Sequence, residues 1–265
     1  MTLKQTAKPV WKDPLTILIT GATGGIGAAL ARRYARPGRT LILHGRDSGR
    51  LGVLARECEA SGAHVVSVIF DLRNAAEATR TLRTATSGRA IDLAIVSAGV
   101  THAIGDGEEV ESWDVAREVL AVNLDGAIVT IAAVLADMRR RAAGQIAIMS
   151  SLSAYYGLPI TPTYCASKAA LKAYGEALRG WLAPQGVGVS VVLAGFVRTG
   201  MMARFPGATP AALSPDQAAL RIERGLAVNS ARIAFPPALA WGAWWLAVLP
   251  AALSQRLVRA FGYGA

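Results

Sequence analysis

The sequence predicts an α/β fold: a parallel sheet wound on both sides by helices. Three observations carry this. Short β-branched or aliphatic runs alternate with longer helical stretches along the whole chain. The short runs are continuously apolar rather than alternating, as expected where both faces of a sheet are covered. And 265 residues, 52% hydrophobic and 17% charged, are enough for one large core and exclude a disordered chain.

Strands are expected at Leu15 to Thr20, Thr40 to His44, His64 to Phe70, Asp92 to Ser97, Gln145 to Ser150 and Val189 to Ala194, with a short seventh at Arg232 to Phe235. Helices are expected to begin near Gly25, Ser48, Ala75, Trp113, Thr163 and Ser214. Ser214 serves as an N-cap and Pro215 takes the first helical position. No repeat or linker divides the chain, so the reading is an N-terminal arm at 1–13, one α/β domain at 14–232 and a hydrophobic C-terminal helical extension at 233–265.

The first expected strand runs into Thr20-Gly21-Ala22-Thr23-Gly24-Gly25-Ile26-Gly27 and then a helix. Glycines in such a turn let the backbone approach a pyrophosphate, whose charge is favoured at the helix N-terminus. Thr20, Gly21, Thr23, Gly25, Ile26 and Gly27 are the candidate contacts. The second strand ends His44-Gly45-Arg46, without the carboxylate that would bond an adenosine ribose. The planar fork of Arg46 matches a phosphate instead, which favours NADP(H) over NAD(H). Asp71 and Leu72 close the third strand and are placed beside the adenine, while Ala98 and Gly99 end the fourth and admit cofactor backbone contacts.

Tyr164 and Lys168 stand at i and i+4, on one face of an expected helix. Ser151 lies 13 residues before Tyr164, and Asn123 opens Asn123-Leu124-Asp125-Gly126 in the preceding helix. With the glycine turn, Asp-Leu, Ala-Gly and Gly195-Phe196-Val197-Arg198-Thr199, these motifs stand in an order and spacing that resembles the classical short-chain dehydrogenase/reductase family, from about Leu15 to about Val228. The resemblance implies a Rossmann-type sheet, a homodimer or homotetramer, and hydride transfer between a nicotinamide cofactor and a small carbonyl or alcohol substrate. It implies catalytic roles for Asn123, Ser151, Tyr164 and Lys168: Tyr164 as acid/base, Ser151 on the substrate oxygen, Lys168 on the nicotinamide ribose, Asn123 on a relay water. Gly195, Val197 and Thr199 join the cofactor contacts, as do Asn123, Tyr164 and Lys168. A Lys168 ammonium about 4 Å away is expected to lower the Tyr164 pKa by up to about 3 units. Two departures stand out. Ser97 replaces the family's Asn, with a looser central sheet as the expected effect, and Ala194 replaces its Pro.

The net charge of +10 favours anionic partners. The one tight run, Arg139-Arg140-Arg141, reads as a solvated helix end, so no nucleic-acid partner is assigned. Two cysteines, Cys58 and Cys165, in no ligand pattern fit a reducing cytoplasm and give no metal site, and no apolar signal segment precedes the first strand. Ile233 to Leu253 is uncharged and holds Trp241, Trp244 and Trp245. Prolines limit its regular helix to about 12 residues, roughly 18 Å against a hydrocarbon core near 30 Å, so it packs at an interface, lids the pocket or lies on an anionic membrane surface rather than spanning one. Met201, Met202 and Phe205 either line an apolar substrate pocket, which makes a lipophilic ketone the expected substrate, or are ordinary packing. The alternative to an enzyme is a cofactor-sensing or membrane-surface module with little turnover.

Overall fold

The computed structural model describes residues 13–104, 111–205 and 207–263, without the Arg204 side chain; the expected arm therefore lies almost wholly outside the described residues. Seven strands, β1 (Thr16–Thr20), β2 (Thr40–Gly45), β3 (His64–Ile69), β4 (Leu93–Val96), β5 (Gly144–Ser151), β6 (Val187–Ala194) and β7 (Arg232–Phe235), form one parallel sheet in the order β3-β2-β1-β4-β5-β6-β7. The order reverses between β1 and β4. The crevice outside the carboxyl ends of these two strands is where such sheets bind ligands.

Helices α1 (Gly25–Tyr34), α2 (Ser48–Ala60), α3 (Ala75–Thr86), α4 (Trp113–Leu120), α5 (Gly126–Arg141), α6 (Pro162–Leu182) and α7 (Pro215–Ala227) cover the sheet. Each apolar strand divides by period two. Ile17, Ile19, Leu41 and Leu43 face Leu30 of α1, Leu51 and Leu54 of α2 and Ile222 of α7. Leu18 and Ile42 face Leu82 of α3, Ile131 of α5 and Leu178 of α6 on the other side. The Ser214–Gln217 pair forms a capping box at the start of α7.

The single helix expected from Trp113 is three pieces. Between α4 and α5 the chain makes one π-helical turn, Ala121–Asp125, a device that occurs preferentially at functional sites. The stretch Trp113–Arg141 is long and apolar enough to cross a membrane, but Thr130, Ile131, Val134 and Met138 bury it in the core. β7 extends the sheet past residue 232, and the C-terminal extension is a pair of helices, α8 (Pro237–Val248) and α9 (Ala251–Ala260), broken at Pro250.

Candidate active site

Gly21 leaves β1 at φ +67°, and a Cβ there would lie 2.6 Å from the Cα of Ala98. Only a glycine lets the ends of β1 and β4 pass this closely. A Cβ on Gly27 would meet the Gly21 carbonyl at 2.3 Å, and one on Gly25 would meet the Thr199 methyl at 2.3 Å. The turn, the start of α1 and the loop after β6 thus close around one another. No side chain caps α1 and no acidic residue sits in its first turn, which leaves that end suited to an anion.

Behind the turn, His44 was not anticipated as a site residue. Its Nδ1 accepts the Gly21 N–H at 3.3 Å, its Nε2 donates to the Phe70 carbonyl at 3.1 Å, and its ring stacks on Phe70 at 4.0 Å. Burial pushes its pKa down to about 4, so the ring is neutral and keeps one acceptor for the turn. Ser97 Oγ donates to the Thr20 carbonyl at 2.7 Å, a tie between β4 and β1 where a looser sheet was expected.

At the other end of the crevice Arg46 is half-exposed, with Nη1 3.9 Å from Asp71 Oδ2. Asp71 belongs more closely to Arg73, which donates to it through Nε at 2.9 Å and Nη2 at 2.6 Å. Those bonds hold the Asp71 carboxyl below the usual carboxylate range. Arg50 donates to the Thr23 carbonyl at 2.8 Å. Arg46 is therefore one of three guanidinium groups around Thr23 and Asp71, of which only Arg46 was singled out in the sequence. Leu72 is buried beneath Gly126 at the start of α5, so its side chain serves packing.

Pro162 opens α6 in the first helical position, and the helix carries Tyr164 and Lys168 inward. Ser151 ends β5 with its side chain near the Tyr164 hydroxyl, where it favours the ionised phenol, and accepts from Ser153 Oγ at 2.7 Å. The π-helical turn aims Asn123 at the same place. Its Oδ1 accepts the Val100 N–H at 2.8 Å, and its Nδ2 donates to the Val100 carbonyl and to Ser167 Oγ, both at 3.0 Å. With both Nδ2 hydrogens in use, the amide clamps the loop after β4 to α6. A Cβ on Gly99 would stand 3.3 Å from Asn123 Oδ1 and 3.4 Å from Lys168 Nζ, so Gly99 is where these groups converge.

The expected lowering of the Tyr164 pKa does not occur in this structure. Burial pushes the phenol up to about 12, and the Ser151 hydrogen bond opposes it. Burial also pushes Lys168 down to about 8. The Lys168 Nζ sits 5.6 Å from the centre of the Tyr164 ring and donates to the Met149 carbonyl at 3.0 Å. Desolvation sets the direction, and Lys168, held on the Met149 carbonyl, does not offset it.

Beside this cluster lies a cavity of about 560 Å³ between the 153–159 segment, α6 and α9, whose wall includes Ser153, Tyr155, Cys165, Val258 and Arg259. Phe205 packs with Phe196 and Tyr263, at ring distances of 5.3 and 6.0 Å, and the Tyr263 hydroxyl donates to the Ala208 carbonyl at 2.6 Å. Phe205 is thus a packing residue, and the C-terminal segment clasps the loop that follows β6. Val197 pairs with Leu213 within this loop, and Gly195 N donates to the Phe235 carbonyl at 2.8 Å.

Residues 15–208 match the family described as short chain dehydrogenase. The chain belongs to this family. An uncharacterized oxidoreductase of Myxococcus xanthus is 32% identical over 247 residues, covering 92% of this chain and 96% of that protein. Human 17-beta-hydroxysteroid dehydrogenase type 1 is 32% identical over 202 residues, covering 72% of this chain and 59% of that protein. Among solved structures, a Sphingobium yanoikuyae short-chain dehydrogenase in complex with NADPH superposes with a TM-score of 0.76 at 27% identity, over 92% of this chain and 95% of that one. The bulky-bulky ketone specific alcohol dehydrogenase of Comamonas testosteroni gives 0.73 at 25% identity, over 94% and 92%. The protein is an oxidoreductase of the short-chain dehydrogenase type, acting on hydroxyl or carbonyl groups.

Two measurements follow from the buried polar groups. Asn123→Ala removes the partner of the Val100 N–H and carbonyl in a part-buried setting, while Ser167 keeps its bond to the Tyr164 carbonyl, and should cost about 1–3 kcal/mol in urea unfolding. Lys168, lowered on folding, binds fewer protons than the unfolded chain between pH 8 and its ordinary value of 10.5. Wild-type stability should therefore rise relative to Lys168→Met across that window, by about 3 kcal/mol at roughly 1.4 kcal/mol per pH unit, and the difference should be constant below it. A pH-independent difference throughout would show Lys168 to be unperturbed.

Proposed function

We propose that the protein reduces apolar ketones, and oxidises the matching alcohols, with NADP(H) preferred over NAD(H). The observation that carries this reading is the convergence of Asn123, Ser151, Tyr164 and Lys168 beside Gly99 and the glycine turn. The crevice fits a nicotinamide dinucleotide, because the uncapped start of α1 opens there behind a closely packed glycine turn. Thr20, Gly21, Thr23, Gly25, Ile26 and Gly27 would hold the pyrophosphate, Asp71 and the Leu72 backbone the adenine, and Ala98, Gly99, Tyr164 and Lys168 the nicotinamide ribose, with Asn123 positioning them from behind. Gly195, Val197 and Thr199 would border the nicotinamide. When bound, the cofactor supplies or takes up the hydride. The Sphingobium yanoikuyae structure contains NADPH and a Beutenbergia cavernae relative contains NADP, which supports the phosphorylated cofactor here. Arg46 supports it further, since Asp71 is engaged chiefly by Arg73 and leaves the Arg46 fork for a phosphate.

Ser151 holds the carbonyl oxygen, and Tyr164 gives it a proton as the carbon is reduced. A phenol near 12 is fully protonated at neutral pH, which is the state a donor needs. Asn123 keeps the loop after β4 at its proper distance from α6. The name of the Comamonas testosteroni enzyme, the cavity beside α6 and its Val258 and Tyr155 walls support a bulky apolar substrate. Exposed Trp113 of α4 and Ile128 of α5 support a homodimer or homotetramer. Two free, buried cysteines support a reducing cytoplasm as the compartment.

Tyr164→Phe should lower ketone reduction about 10²–10⁴-fold while NADPH affinity, followed by fluorescence titration, stays within about twofold. Reduction should hold level from pH 6 to about 8, whereas alcohol oxidation, which needs a base, should climb with pH. Full turnover in the Phe variant would require a different proton donor. Arg46→Ala should weaken NADPH by about 1.5–3 kcal/mol and leave NADH nearly unchanged. Tighter binding of NADH by the wild type would assign the opposite preference.

A further inference from the structure

Helix α8 has no buried residue and is apolar on every side, a composition that is stable only when covered all round. The protein covers one side, where Leu239, Ala240 and Ala243 pack against Leu152, Val191 and Leu193. The other side is open: Trp241, Trp245 and Val248 are each more than half exposed, and Trp244 is 39% exposed. The three indoles contact one another edge to face at 5.9 and 5.1 Å, and no indole N–H among them donates to a protein acceptor within the described residues. Next to them α9 exposes Leu253, and Phe261 beyond it. From Ile233 to Gly262 the chain has two charged side chains, Arg256 and Arg259, and no Asp or Glu.

We propose that the α8–α9 hairpin docks the enzyme on an anionic lipid surface, with α8 lying in the headgroup plane. Twelve residues give about 18 Å, too short for a hydrocarbon core near 30 Å, and Pro236, Pro237 and Pro250 bound the helix at both ends. Tryptophan suits the depth where an apolar ring is buried and its N–H still meets a polar acceptor. The charge decides between lipid and a second copy of the chain. A two-fold pairing of this face would bring four arginines together with no carboxylate from the segment to offset them, whereas anionic headgroups complement them. Docking deepens the proposed function and rests on it for its consequence. α9 forms one wall of the 560 Å³ cavity that reaches Ser153, the neighbour of Ser151, so apolar ketones dissolved in the bilayer would meet the cavity proposed for the substrate at its α9 edge.

The test is co-sedimentation of the full chain with vesicles of phosphatidylcholine, with and without phosphatidylglycerol, at low and high salt. Binding should be about tenfold or more tighter with phosphatidylglycerol and should weaken with salt. Arg256→Gln/Arg259→Gln should bring it to the neutral-vesicle level. Trp241→Ser/Trp244→Ser/Trp245→Ser should abolish binding to both, with NADPH binding retained as the sign of a folded protein. Brominated lipid should quench part of the wild-type tryptophan emission and none in the triple variant. Wild type left in the supernatant with anionic vesicles overturns the proposal, as does binding that ignores phosphatidylglycerol. A dimer in light scattering that the triple variant dissolves would give the face to a second copy instead. Vesicle binding needs no turnover, so failure to reduce ketones would count against the proposed substrate and leave docking standing.

Discussion

Where β1 ends, the chain turns at Gly21 with a positive φ and passes over Ala98 so closely that a single added carbon would stand 2.6 Å from its Cα. That crossing brings the end of β1 against the end of β4, and every other part of the site is positioned from it. Gly27 packs on the Gly21 carbonyl, which sets the angle at which α1 leaves the turn. His44 holds the Gly21 N–H from behind, and Ser97 holds the Thr20 carbonyl from the side. Two residues beyond Ala98, Val100 is gripped by Asn123, and through Ser167 the same amide reaches α6. The position of Tyr164 and Lys168 relative to the glycine turn thus depends on a short chain of backbone contacts, each tolerating little displacement.

The protein accepts an electrostatic cost at this place. Lys168 is almost fully buried with no carboxylate beside it among the described residues, and desolvation holds the part-buried Tyr164 phenol in its protonated form. A water-poor setting strengthens each remaining interaction, so the Ser151–Tyr164 bond and the Lys168–Met149 bond define the geometry more sharply than they would at the surface. The same dryness favours the neutral phenol, which is a proton donor, over the phenolate, which is a base. Burial therefore sets the chemical bias of the site as much as the identity of its residues does.

The C-terminal hairpin connects this interior to the surface. α8 packs on the end of β5 and on β6 through Leu152, Val191 and Leu193, close to Ser151, while Tyr263 grips the loop that returns toward Gly25.

The sequence by itself determined what is local or periodic. The apolar runs were continuous, so a doubly covered parallel sheet followed, and all seven strands lie within a few residues of where the pattern puts them. Tyr164 and Lys168 share a helix face because 3.6 residues make a turn, and the glycine turn announces itself by strand, glycines and helix in succession. The tertiary structure decided the rest. The π-helical turn that aims Asn123 has no sequence signature; it shows only in the fold, where Asn123 bonds Ser167 of α6 and Gly126, just past the turn, lies against Leu72. Arg46 comes beside Asp71 only because β2 and β3 pair in the sheet, and Phe205 finds Tyr263 across 58 positions of chain. The Tyr164 pKa moved opposite to expectation for the same reason. Spacing reports which groups are neighbours, but only the assembled fold sets how much water remains between them, and that governs which charge state survives.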